Sequence, residues 1–331
     1  MQDAIRNVNS EAQCAVFEKE TLVKGQPTRV RCVNIEGYTL TIDGRLPSVA
    51  RLEDEWYEDL QEPARVARRL VAMRSGRPDL LTFWQRLPNI EPQYGFHLEW
   101  EELAVLPIKS YEQWWNERIK SRVRTQIRKA AKEGVVIRQC EYDDAFVRGM
   151  TSIFNESPVR QGKPFWHYGK DIETIRQQFS RYLFREQLIA AFIGDEMIGF
   201  MMLANAGRFA LTGQIIASLK YRDKAPNNAL IAKAVEICAA QGIEYLVYFF
   251  WGDDSLAEFK RRCGFEPVRV PRYFVPLTPT GRVALAVGAH RGWKGVIPAG
   301  TKKHLKSVRR RWYGLVSKRH DSQSDGRDHS G

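Results

Sequence analysis

Residues 188–250 read LIAAFIGDEMIGFMMLANAGRFALTGQIIASLKYRDKAPNNALIAKAVEICAAQGIEYLVYFF, and the run continues WGDDSLAEFKRRCGFEPVRVPRYFV to Val275. Three apolar runs, Leu188–Ile193, Met197–Ala204 and Phe209–Ala217, are separated by short turns at Gly194-Asp195 and Asn205-Ala206-Gly207. That spacing predicts an antiparallel meander. The runs are too continuously apolar for a sheet wet on one side, so both faces are expected to be covered.

A helix is expected next, capped by Asn227 or Asn228. Its apolar stripe is Leu230, Ile231, Ala234, Val235, Ile237 and Cys238, and Gly242 is its stop. Ile243–Phe250 reads as a buried strand. Ser255 and Glu258 have capping-box spacing for a short helix closed by Gly264. The last extended run, Phe265–Val275, holds two prolines, which suits an edge or a bulge.

The order meander, helix, strand, short helix, strand resembles the second half of an acyltransferase of the GNAT superfamily. The run Phe259-Lys260-Arg261-Arg262-Cys263-Gly264-Phe265 narrows the likeness. Lys260 stands where many GNAT enzymes carry tyrosine. A Phe-Lys pair before a Gly-Phe end is similar to the Fem-type (FemAB-like) branch, which transfers aminoacyl or other acyl groups. The resemblance covers residues 80–275. It implies an α/β (α+β) fold with a GNAT-like mixed central sheet flanked by helices.

The chain has 331 residues, 44% of them hydrophobic and 11% aromatic, enough for a sizeable core. It holds no apolar run of membrane-spanning length and no signal-peptide core near residue 1. Five scattered cysteines, none in CxxC spacing, offer neither a disulfide framework nor a zinc site, so no metal is expected and a reducing cytoplasm fits. The formal net charge is +12, and residues 301–320 hold eight cations and no acid. With Leu305, Val308, Trp312, Leu315 and Val316 among them, they read either as an interfacial amphipathic helix for an anionic membrane or as a disordered basic tail.

Upstream, Thr28–Val33 and Tyr38–Ile42 read as a hairpin, residues 51–74 as a charged helix, and Leu80–Gln85 and Tyr94–Trp100 as strands. Fem-type proteins have two GNAT modules in tandem, and this chain is too short for two complete ones. Residues 1–107 are therefore read as a reduced N-terminal α/β module, 108–277 as the catalytic domain and 278–331 as a Gly-rich linker with the basic tail. Ser110–Gly134 is a long helical pattern with a basic face. That face is either solvated or a contact for phosphates, including those of tRNA. Residues 157–170 form a loop rich in aromatic and cationic groups, either an acceptor cover or a packed Ω-loop.

Transfer of an acyl group to an amine needs a deprotonated amine, donors for the oxyanion and a proton for the leaving group. The resemblance implies direct attack without a covalent enzyme intermediate. Acyl-CoA, acetyl-CoA included, is the expected donor, and aminoacyl-tRNA the alternative. The donor would lie where parallel strands ending near Ala217 and Phe250 splay, along Ile215, Ile216 and Ala217. Its phosphates would meet Lys220, Arg222, Lys224, Asn227 and Asn228, in a loop where Asn227 replaces the family's central glycine. Lys260 is the expected catalytic cation. Glu156 and Asp253 are candidate proton acceptors, and Tyr273 a further catalytic candidate. Arg160, Trp166, His167, Tyr168, Tyr248 and Trp251 are the expected acceptor-binding residues. The acceptor would be an amine-bearing small molecule, an amino sugar or a lipid-linked precursor. The rival reading is a non-catalytic GNAT scaffold that binds RNA or an anionic membrane.

Overall fold

A computed structural model describes residues 15–23, 26–252 and 255–291. One twelve-stranded sheet draws strands from residue 16 to residue 276. The N-terminal part contributes β1 (Val16–Val23), β2 (Gln26–Ile35), β3 (Tyr38–Asp43), β4 (Val49–Leu52) and β5 (Leu80–Trp84). Helix α1 (Pro63–Val71) links β4 to β5, which pair in parallel. Proline at its first position suits an N-terminus, where the missing N–H is no loss. β6 (His97–Pro107) follows.

The second part opens with helical turns over 111–118 and α2 (Ser121–Lys132), then β7 (Val136–Cys140), α3 (Asp144–Phe154) and α4 (Ile172–Phe179). Two-residue strands β8 (Val159–Arg160) and β9 (Lys163–Pro164) pair between α3 and α4. The meander is β10 (Glu186–Ile193), β11 (Glu196–Asn205) and β12 (Phe209–Ala217). Then come α5 (Pro226–Ala240), β13 (Tyr245–Phe250), α6 (Ser255–Arg262), β14 (Glu266–Pro276) and α7 (Pro279–Ala286). The twelve-stranded order is β1-β2-β3-β4-β5-β14-β6-β13-β12-β11-β10-β7.

Both faces of the meander are covered, as its unbroken apolar runs require. Ile189, Ala191, Met201 and Leu203 join the core that contains α5 residues Leu230, Ile231 and Val235. Leu188, Ala190, Phe200 and Met202 join the core with α3 residues Phe146, Met150 and Phe154. A third core lies in the N-terminal part, around Leu40, Val66, Leu70 and Phe83.

Four expectations are corrected. The long helix over 110–134 breaks at Ile119, whose backbone is extended at φ −89° and ψ 144°. Trp114 is buried there with its indole N–H on the Cys263 carbonyl at 2.9 Å. Arg124 donates to the carbonyls of Trp115 and Ile119, 2.9 and 2.8 Å away, which satisfies the end of the broken turn. Second, residues 53–62 are loop, not helix. Third, the proline-bearing β14 is central, between β5 and β6. Its pairing with β5 starts only at Arg272. The Pro271 carbonyl accepts from the Gln85 amide at 2.8 Å, so its ring nitrogen faces that same open side and no ladder bond is lost. Fourth, residues 279–286 form α7 rather than linker. Thr278 caps it by accepting from the Gly281 amide at 3.0 Å. A Cβ on Gly281 would come within 2.1 Å of the Asp79 carbonyl oxygen, so only glycine allows this approach.

Candidate active site

The sheet opens at its second parallel pair. β12 and β13 pair only over Phe209–Leu211 and Tyr245–Val247. Both strands become irregular directly afterwards. On β12, Met202 faces Gln214 and Leu203 faces Thr212, which leaves Gly213 as an extra residue. On β13 the register against β6 shifts between Val247 and Phe250, and Phe249 has φ +45°. A bulge adds twist and turns a strand away from its neighbour. Two bulges at the same level part the strands. Positive φ at a phenylalanine is strained, and strain of this kind gathers at functional sites. Ile215, Ile216 and Ala217 then pair with β11 on one side only.

A pocket of 220 Å³ lies against the split. Its floor is Met202, Leu211, Gly213 and Gln214, and Phe249 stands at its edge. Phe179, Tyr182 and Glu186 form one wall, and Glu53, Asp54, Trp56 and Tyr57 from the loop after β4 form the other. Trp56 meets the rings of Trp84 and Phe249 edge-on at 4.7 and 5.2 Å. Tyr57 lies 4.8 Å from Tyr182, centroid to centroid, and Arg185 lies over its ring at 5.1 Å. Burial, with Glu186 next, pushes the Tyr57 phenol up to about 12. Two of the three acids are satisfied. Glu53 takes Lys19 and Arg181 at 2.8 and 2.9 Å. Asp54 takes Arg181 at 2.9 Å and the Tyr182 hydroxyl. The Glu186 Oε2 is buried without a hydrogen-bond partner, and burial lifts its carboxyl to about 7.

Lys260 lies beyond the split, among residues packed on the α5 face. It is 3% exposed, so it is no ordinary surface lysine. Its Nζ donates to the Phe250 carbonyl at 2.6 Å and stands 4.5 Å above the Tyr248 ring. Burial raises the Tyr248 phenol. Trp251 is buried beside the same core.

The remaining expected residues divide. Arg160 donates to the Ala217 carbonyl at 2.8 Å, the Ile153 carbonyl at 2.6 Å and Glu156 at 2.9 Å. Glu156 also accepts from the Leu219 amide at 2.7 Å. This pair anchors the end of β12, and the carboxylate is committed to two donors. His167 is buried, stacked 4.2 Å from Phe154, and burial followed by Lys170 lowers it to about 3. Trp166 and Tyr168 point outward and are about half exposed. Tyr273 belongs to the N-terminal core, stacked on Phe83 with its hydroxyl on Gln85 at 3.1 Å, so the structure does not bring it to Lys260.

The expected phosphate loop is partly occupied by the chain itself. Lys220 and Lys224 face Glu196 and Glu133, 3.5 and 2.8 Å away. Neither asparagine caps α5; Ala225 does, at φ +56°. Pro226 has no N–H, and the amides of Asn228 and Ala229 both turn to the Ala225 carbonyl. Asn227 buries its Oδ1 without a partner. Asp253 and residues 301–320 lie outside the described residues. Among the described residues no helix is long and apolar enough to cross a membrane.

Glu186, Trp56, Tyr57 and Tyr182 are the site residues that sequence reasoning missed. The available signal was the acid-aromatic run Glu53-Asp54-Glu55-Trp56-Tyr57-Glu58-Asp59, which has the look of a charged helix.

No family model matches the sequence, and no curated protein does. Solved structures match the fold. The chain is similar to a crystal structure of FemX, with a TM-score of 0.54 at 9% identity, over 84% of this chain and 91% of that one. It is similar to the C-terminal domain of a lysylphosphatidylglycerol synthetase from Agrobacterium fabrum, with a TM-score of 0.53 at 12% identity, over 86% and 95%. L-PGS from Bacillus licheniformis matches at 0.51 and 14% identity, over 79% and 88%. The chain has the GNAT-like, Fem-type fold that its meander and Phe-Lys pair led one to expect.

Proposed function

We propose that this protein is a transferase that moves an acyl or aminoacyl group to a primary amine by direct attack. The observation that carries the reading is the double-bulged split between β12 and β13. It leaves the β12 edge free of β13 beside Ile215–Ala217, with a pocket against it and a fixed lysine beyond it. A donor laid along this edge would hydrogen-bond to main chain as an added strand does. Its carbonyl would sit in the split, where Lys260 supplies positive charge to the oxyanion or the leaving group. The amine would enter from the pocket.

The donor loop favours an aminoacyl ester over acyl-CoA. Two of its three cations, Lys220 and Lys224, already face acids, which leaves Arg222, and the first turn of α5 offers few amides to a pyrophosphate. One of the similar structures is described as a lysylphosphatidylglycerol synthetase, so a lipid-borne acceptor belongs in the screen. The chain would then be two unequal modules, 1–107 and 108–277, with residues 278–331 as an appendage to the second and the tail 301–320 as a contact for anionic membrane.

The test is a calorimetric and turnover screen of acyl-CoAs and aminoacyl-tRNAs with amine acceptors, free and in vesicles. Transfer from either donor supports the proposal, and transfer from aminoacyl-tRNA alone supports the donor assignment. Binding of RNA or anionic vesicles with no transfer from any donor would leave a non-catalytic scaffold.

A further inference from the structure

We infer that the pocket against the split receives a primary ammonium group and that Glu186 takes its proton. This rests on the transfer proposed above and adds the acceptor's chemical class and the base. A buried carboxylate oxygen without a donor is uncommon and costly. Oε2, out of reach of solvent, lacks a donor, which favours the neutral carboxyl; Oε1 stands beside Gly213 on the pocket floor, and there an ammonium group brings three N–H donors. The other acids of the pocket do not compete, because Arg181 and Lys19 hold Glu53, and Arg181 and Tyr182 hold Asp54.

The walls agree with this charge. Trp56, Tyr57 and Tyr182 bring aromatic rings to the pocket, and such rings attract cations. Arg185 over Tyr57 is the opposing charge, and its guanidinium is already placed on that ring. The floor is open for a specific reason. A Cβ at Gly213 would stand 3.1 Å from the Met202 carbonyl oxygen, a tight approach, and 3.5 Å from Glu186 Oε1, in contact, so glycine at the bulge leaves room beside the carboxylate. The pocket has a volume of 220 Å³. It takes the amine end of an acceptor and leaves the rest outside.

The chemistry balances without a further reactant. The ionised Glu186 removes one proton from the ammonium and frees its lone pair. Nitrogen attacks the donor carbonyl, the C–N bond forms, and the C–O or C–S bond to the leaving group breaks. A second N–H proton leaves with the departing group, through Lys260 or solvent. Glu186 then returns its proton to water. Burial places its carboxyl near the neutral range where a base of this kind works best.

The experiment uses the full chain, 1-aminopentane as probe and pentan-1-ol as the neutral control. The charged groups around Glu186 are Glu53, Asp54, Arg181 and Arg185, the nearby phenols of Tyr57, Tyr142 and Tyr182 are raised and stay neutral, and 1-aminopentane stays protonated throughout. Calorimetric affinity should therefore follow ionisation of Glu186 and rise about 10- to 30-fold between pH 5.5 and 8.5. Glu186→Gln should flatten that rise and weaken binding at pH 8.5 at least about 10-fold, while Glu186→Asp keeps the slope. Equal affinity of the native protein and Glu186→Gln at pH 8.5, or equal binding of pentan-1-ol, would overturn the inference. No donor is present, so the two readings fail separately. Glu186-dependent binding with no transfer from any donor removes the transferase and leaves the ammonium site. Transfer that proceeds undiminished in Glu186→Gln removes the site's role and leaves the transferase.

Discussion

Glu186, half-buried, and His167, buried, are titratable groups with opposite pH signatures. The folded Glu186 carboxyl titrates near 7, well above its unfolded value, so the native state binds the extra proton between about pH 4.5 and 7. Stability is therefore lost as pH rises through that window and the charged form is forced into a site without a donor. Glu186→Gln should raise stability by roughly 2–3 kcal/mol at pH 8 and leave it unchanged at pH 4. Urea unfolding at both values checks this, and an equal gain at both would show that burial of the charge is not the cause. His167 runs the other way. Its folded imidazole stays neutral down to about 3, so the unfolded state binds the proton first and stability falls as pH drops from about 6.5. His167→Phe keeps the stack on Phe154 and should flatten the acid side of the stability curve. A curve that still falls as steeply below pH 6 would place the acid sensitivity elsewhere.

At the scale of elements, the two bulges and the lysine on α6 act as one device. Lys260 ties α6 to the Phe250 carbonyl just past the bulge of β13. Lys260→Met keeps the stem but leaves that carbonyl without its donor, at a cost of about 1–3 kcal/mol. Turnover should fall about 10²-fold or more, the scale of losing one oxyanion stabiliser. A variant with lowered stability and native kcat would make Lys260 a structural clamp only. Gly213→Val should fill the floor of the pocket and weaken 1-aminopentane binding at least about 10-fold, with far-ultraviolet circular dichroism unchanged. An unaltered affinity would mean that the amine sits elsewhere. The meander, α5, β13 and α6 were legible because their apolar runs and stops are local. Lys260 stood out through its Phe-Lys pair, but its burial and its bond to the Phe250 carbonyl were not readable from that pair. The loop after β4 was not, since its alternating acids and aromatics have helical spacing, and only Pro63 marks where the helix starts. Glu186 was invisible for a deeper reason. Its significance is the absence of a partner, and that is decided by elements far apart in sequence.

At the scale of the molecule, β14 and β6 bind the two parts together. β14 pairs with β5 over Arg272–Pro276 and with β6 over Glu266–Phe274. β6, from the early part of the chain, fills the place between β13 and β14. Tyr273 on β14 completes the N-terminal core. Strand order of this kind is non-local, which is why the reading of 1–107 as a module could not foresee where β6 lies. The prediction is a single cooperative unfolding transition by calorimetry, with no stable fold for a fragment ending at residue 95. Two separate transitions, or a fragment with dispersed amide resonances, would show that the halves are independent.

The shared strand also governs the order in which the chain can fold at birth. Roughly 190 residues lie between Trp84 and its partner region near Pro276, about 10–40 s of synthesis at ordinary rates. Through that interval β5 has left the ribosome with one edge bare, next to a core that still lacks its last tyrosine. A nascent edge of this sort is open to pairing with the wrong strand. The architecture thus ties the early half to a late arrival, and β5 gains its second neighbour only when residue 276 has emerged.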